Sequence, residues 1–182
     1  MPLQSIKVRI SPPTEPIVPG RGFYQLEEES LYVQIGPFSR QHRFFSYIES
    51  DTVRFDLDRQ GYLIFIEIAT PRRRWQVVPN LKPPSAVEMA DIRWLDFRER
   101  MLSPVLITTP DKSLLQLRFG TAASPLHYYY LAESIIAQVD KDDSLAAVWI
   151  TDIVDDIAGQ EIGAFRKGLR QEPAAEPVLP PQ

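Results

Sequence analysis

Residues 53–58, VRFDLD, alternate Val53, Phe55 and Leu57 with Arg54, Asp56 and Asp58, the period of two expected of a strand with one buried face. Gly61 then offers a turn residue with no steric cost, and residues 62–69 form an almost unbroken apolar run. Together they read as a hairpin whose return strand is buried on both sides. Further strands are predicted over residues 6–10, 23–26, 31–35 and 44–49, and again over 92–97, 105–109, 114–119 and 128–133. Ser85 and Glu88 have the spacing of a helix capping box. A strand from Ile92 is preferred there, because residues 92–94 then correspond to residues 6–8.

The pattern occurs twice. Residues 47–68 align without a gap on residues 129–150, with Tyr47, Asp58, Leu63 and Ile68 meeting Tyr129, Asp140, Leu145 and Ile150. Thr52, Val53, Leu57, Arg59 and Ile66 meet Ser134, Ile135, Val139, Lys141 and Val148, so hydroxyl, apolar character and charge sign are also kept. Upstream, residues 31–36 (LYVQIG) match residues 115–120 (LQLRFG) in rhythm and final glycine. The expected fold class is therefore mainly β (α+β): two related antiparallel β modules from internal duplication, with a C-terminal amphipathic helix.

The first module spans residues 1–78 and the second 86–150, joined by a Pro-rich connector over 79–85. Residues 151–170 are predicted to be helical. Thr151 can cap, Asp152, Asp155 and Asp156 suit the first turn, and Ile153, Ile157, Phe165 and Leu169 fall on one side. Residues 171–182, rich in proline and alanine, read as a disordered tail.

Composition narrows the classes. The 182 residues are 44% hydrophobic and 24% charged, enough for a real core. The longest apolar run falls far short of the roughly 20 residues of a membrane helix, and charges occupy the place of a signal peptide's apolar stretch, so no membrane and a cytoplasmic location are expected. Cysteine is absent, which removes disulfides, thiolate nucleophiles and cysteine metal sites. Residues 1–90 hold 11 Lys and Arg against 10 Asp and Glu, leaving 9 against 14 in the remainder. Neither half resembles a phosphate-neutralising surface, which argues against nucleic acid.

Residues 30–36 (SLYVQIG), 53–58 (VRFDLD) and 61–68 (GYLIFIEI) resemble the small bacterial and archaeal domain-of-unknown-function 2283 family. The resemblance covers residues 30–69 best, with 114–152 as a divergent second copy. It implies a small antiparallel sheet module used for interaction, in a family with no assigned activity, some of whose members look like partners encoded beside small toxins.

Catalytic signals are weak. The two histidines, His42 and His127, lie in no recognised motif, and a structural or surface role is favoured for each. Asp140 to Ser144 begin like a calcium loop, but Leu145 stands at the glycine position and Thr151 at the glutamate position. Asp56, Asp58 and Glu67 form a carboxylate group, yet Gln138 and Trp149 replace Asp56 and Glu67 in the second copy. No catalytic residue, metal site or cofactor is assigned. The binding residues singled out are Arg72, Arg73, Arg74 and Trp75, a compact basic cluster beside an indole, suited to an acidic surface. The expected function is non-catalytic protein binding or scaffolding, with another protein or a second copy of the chain as partner. The alternative is an enzyme or small-molecule-binding protein with an aromatic pocket between the halves, lined by residues such as Trp75, Trp94 and Tyr128 to Tyr130.

Overall fold

The structure is a computed structural model that describes residues 1–36, 42–120 and 124–156. The chain begins with β1 (Val8–Ser11), β2 (Gly20–Gln25), β3 (Ser30–Ile35), β4 (Ser46–Glu49), β5 (Val53–Leu57) and β6 (Leu63–Ile68). A 3-10 turn at Arg72–Arg74 leads into the short β7 (Gln76–Val77). Then come β8 (Glu88–Met89), β9 (Asp91–Trp94), β10 (Glu99–Arg100), β11 (Val105–Thr108) and β12 (Leu115–Arg118). The last are β13 (His127–Ala132), β14 (Ile135–Val139), β15 (Leu145–Ile150) and β16 (Val154–Asp155).

Two seven-stranded sheets result, in the orders β10-β4-β5-β6-β3-β2-β16 and β7-β11-β12-β15-β14-β13-β8. Their five inner strands follow one path, β4-β5-β6-β3-β2 in the first and β13-β14-β15-β12-β11 in the second. Within these paths every pairing is antiparallel. The central hairpins even share an irregularity, a register shift between Asp56 and Leu57 in one and between Gln138 and Val139 in the other. Among the strands of the described residues, parallel pairing is confined to the two-residue β7, β8, β10 and β16 at the edges, and an isolated parallel bridge joins Leu3 to Met101. Three of these cross over: β7 follows the first set of strands but joins the second sheet, whereas β10 and β16 join the first sheet. Short edges of this kind leave little unpaired backbone to template association. β1 and β9 stand apart as an antiparallel pair with Val8 opposite Trp94.

One apolar cluster spans both sheets. Leu31, Val33, Val53, Phe55 and Ile66 of the first share it with Leu115, Leu117, Ile135, Ala137 and Val148 of the second. The alternation in residues 53–58 is thus realised as Val53, Phe55 and Leu57 buried between half-exposed Arg54 and Asp56. The return strand β6 is central in its sheet, and its outward residues Ile64 and Phe65 are buried too, beside Phe23 and Tyr32. Trp149 does the same for β15 with Leu114 and Ile136. Residues 86–102 contain strands and no helix.

The helix expected from Thr151 does not begin there. Asp152 has φ 55°, outside the helical region, and the Thr151 hydroxyl donates to the Ser134 carbonyl at 3.3 Å instead of capping. Val154 and Asp155 pair in parallel with Phe23 and Tyr24. Helical spacing of the apolar residues lost to an available sheet edge, whose unpaired backbone groups this segment satisfies. Residues 157–182, holding the rest of the predicted helix and the tail, lie outside the described residues. Among the described residues, no helix is long and apolar enough to cross a membrane.

Candidate functional site

The site grows from a turn built twice. Asp58 Oδ1 accepts the backbone N–H groups of Gln60 and Tyr62, each at 2.9 Å. Asp140 Oδ1 does the same for Asp142 and Ser144 at 2.9 and 3.0 Å. That local capping explains why aspartate stands at both positions. Each turn then receives a strand from the other stretch of chain: Trp94 N–H donates to the Gly61 carbonyl at 2.7 Å, and Val8 N–H to the Asp143 carbonyl at 3.0 Å. Asp91 and Arg93 therefore stand to the first turn as Ser5 and Lys7 stand to the second.

The two corners differ in the side chains placed on this frame. At the second, Lys7 Nζ donates to Ser144 Oγ at 2.6 Å and to the Asp142 carbonyl at 3.2 Å. At the first, Asp91 is buried and gathers three donors: the Tyr62 hydroxyl and Thr14 Oγ1 (3.2 Å) on Oδ2, and Arg93 Nε (3.2 Å) on Oδ1. The Arg93 guanidinium lies 4.8 Å from the Tyr62 ring centre, in cation–π range. His42 Nδ1 meets Asp58 Oδ2, and its ring stands edge-on to Tyr62 at 5.2 Å. A buried carboxylate is stable only when its lone pairs are filled, and this one is.

These groups border a cleft of about 290 Å³. Its polar wall is Thr14, Glu15, His42, Gln60, Tyr62, Asp91 and Arg93. Its apolar wall includes Ile17, Val18, Leu63, Met89, Ile92 and Leu131, with Tyr130 beside them. The walls come from the segment before β2, the β5–β6 turn, the β8–β9 stretch and β13, so both sheets contribute.

Burial and then the hydrogen bond to Asp91 raise the Tyr62 pKa above its ordinary 10.0. Only the neutral phenol can donate to Asp91. The stabilisation is therefore fully present below the unfolded value and is lost as pH rises through the higher folded value. Tyrosinate absorbance should show Tyr62 among the late-ionising tyrosines of the folded protein, and Tyr62→Phe should remove one late proton. Tyr129, raised by burial and then by Glu88 and Asp143, should also titrate late.

The residues singled out from sequence lie away from this cleft. Arg72 is half-buried and Arg73 exposed on the 3-10 turn, where Arg72 pairs with Asp155 at 2.7 Å and lies over the Tyr24 ring at 4.4 Å. Arg73 pairs with Glu29, and Arg74 completes the turn. Trp75 is 3% exposed, edge-on to Tyr24, with its Nε1–H donated to the Thr70 carbonyl at 3.0 Å. Trp94 is 1% exposed and belongs to the core. Of the expected aromatic lining only Tyr130 is present; Tyr128 packs with Trp149's cluster. Asp56 and Asp58 are parted by the register shift: Asp56 accepts from Arg54 at 2.8 Å, and Asp58 serves the turn. His127 is exposed at the start of β13.

Tyr62, Asp91, Arg93 and Thr14 were not singled out from the sequence. The sequence offered only a weak signal, since Tyr62 aligned on Ser144 is one of several mismatches between residues 47–68 and 129–150. No protein-family model and no curated protein sequence matches the chain.

Proposed function

We propose that this protein is a non-catalytic binding protein that takes a small amphipathic ligand in the cleft bordered by Tyr62, Asp91 and Arg93. The observation carrying this reading is the asymmetry of the corners. The frame of turn aspartate and incoming strand occurs at both, but the Tyr62–Asp91–Arg93–Thr14 network occurs at one, and it lines the cleft. A network the frame does not require supports a role other than folding. The common strand order, shared register shift and twin aspartate turns also support derivation of both halves from one duplicated module. A module like that of the domain-of-unknown-function 2283 family belongs to the same reading.

The test is a fragment screen by ligand-observed NMR, followed by mapping of hits on the labelled protein. Hits should perturb Met89, Tyr130 and Arg93, and Tyr62→Phe should weaken them. Hits that map elsewhere, or a screen with none, would count against the cleft. Protein binding is the second reading, favoured by Phe44 and Phe45, which are 43% and 39% exposed, Phe45 standing edge-on to Phe97. Concentration-dependent sedimentation that disappears in a Phe44→Ser, Phe45→Ser variant would support it.

A further inference from the structure

We infer that the ligand class of this cleft is a small amphipathic carboxylate, with its acid group on the Arg93 guanidinium and its hydrocarbon on the wall of Ile17, Val18, Met89 and Leu131. The inference rests on the proposed binding role and names the ligand that this role would serve.

Arg93 is held like a tool. Its Nε is fixed on Asp91 at 3.2 Å and its plane lies near the Tyr62 ring, while Asp91 is itself fixed by Tyr62 and Thr14. Among the described residues neither Nη holds a carboxylate, and the side chain is 41% exposed. A guanidinium anchored through Nε still presents its two Nη groups end-on, in the spacing that matches two carboxylate oxygens. Because Asp91 and Tyr62 have already ordered the side chain, capture costs less rotamer entropy than at a free surface arginine. A lysine in this position, as Lys7 is at the other corner, would supply a point charge without the fork.

Asp91 does not close the position, since it already accepts three donors and takes Arg93 through Nε. The apolar wall gives the second half of the specificity. Met89 is 39% exposed, and Ile17, Val18 and Leu131 are half-buried, leaving apolar surface at the cleft that a hydrocarbon would cover. Methionine's flexible thioether can adapt to different chains or rings. The cleft lies at the small end of ligand pockets, which sets short-chain and single-ring acids ahead of long-chain ones.

The experiment titrates the full chain, at neutral pH and low salt, with phenylacetate and hexanoate and with their neutral amides, phenylacetamide and hexanamide. Affinity is read by calorimetry and position by NMR. The acids should bind about tenfold more tightly than the amides, since a charge-assisted bidentate pair replaces ordinary hydrogen bonds. Arg93→Gln should abolish that preference, bringing acid affinity down to that of the amides measured on the same variant, and Arg93→Lys should keep only part of it. Unchanged circular dichroism and melting establish that each variant is folded. Equal affinity for acid and amide at the cleft, or a preference that survives in Arg93→Gln, would overturn the carboxylate assignment and leave the cleft reading standing. No binding by any of the four, or binding away from Met89 and Tyr130, would overturn the carboxylate assignment; the fragment screen then decides the cleft separately.

Discussion

Phe55→Ala should be among the most damaging single substitutions in the chain, lowering unfolding free energy by about 4 kcal/mol. Phe55 is fully buried in β5, with its ring 5.8 Å from Trp94 and 6.0 Å from Phe119. It joins three contributors to the common core: a central strand of the first sheet, the β1–β9 pair and the stretch just after β12. Truncation removes apolar burial and leaves a cavity, and the surrounding aromatic rings are too rigid to collapse into it. Urea denaturation should show a lower midpoint with an unchanged slope. Phe55→Leu, which keeps much of the volume, should cost less than half as much. A loss below about 1 kcal/mol for Phe55→Ala would mean that the sheets do not share one core.

Gly61→Ala should cost roughly 3 kcal/mol through a different mechanism. Gly61 has φ 94°, and a Cβ there would stand 2.4 Å from the Trp94 carbonyl oxygen and 3.3 Å from its nitrogen. Backbone must therefore move, breaking the bond from Trp94 N–H to the Gly61 carbonyl that docks β9 on the turn. The same turn carries Gln60 and Tyr62 into the cleft, so any ligand affinity should fall together with stability. The other corner supplies the control. Asp143 occupies the matching place with φ 57°, a conformation aspartate tolerates, so Asp143→Gly should change stability by no more than about 1 kcal/mol. Chemical denaturation of the two variants side by side checks the contrast, and equal effects would contradict it.

What the sequence by itself determined was local. Alternation in residues 53–58 and the apolar run after Gly61 depend on a period of two and on turn chemistry, and both became the hairpin of β5 and β6. The second hairpin, β14 and β15, was legible only through its alignment on the first, and Asp143 takes the place of Gly61 at its turn with φ 57°. Tertiary structure decided everything that needs a partner distant along the chain. Thr151 to Asp156 have helical spacing, yet an open edge of β2 drew Val154 and Asp155 into a sheet, because unpaired backbone outweighs a weak local preference. Trp75 and Trp94 looked like lining and became core, since aromatic residues serve either use and only packing chooses. The cleft was least legible. Thr14, Tyr62 and Asp91 are far apart in sequence and carry no motif, and they meet only because β9 docks on the turn of the first hairpin.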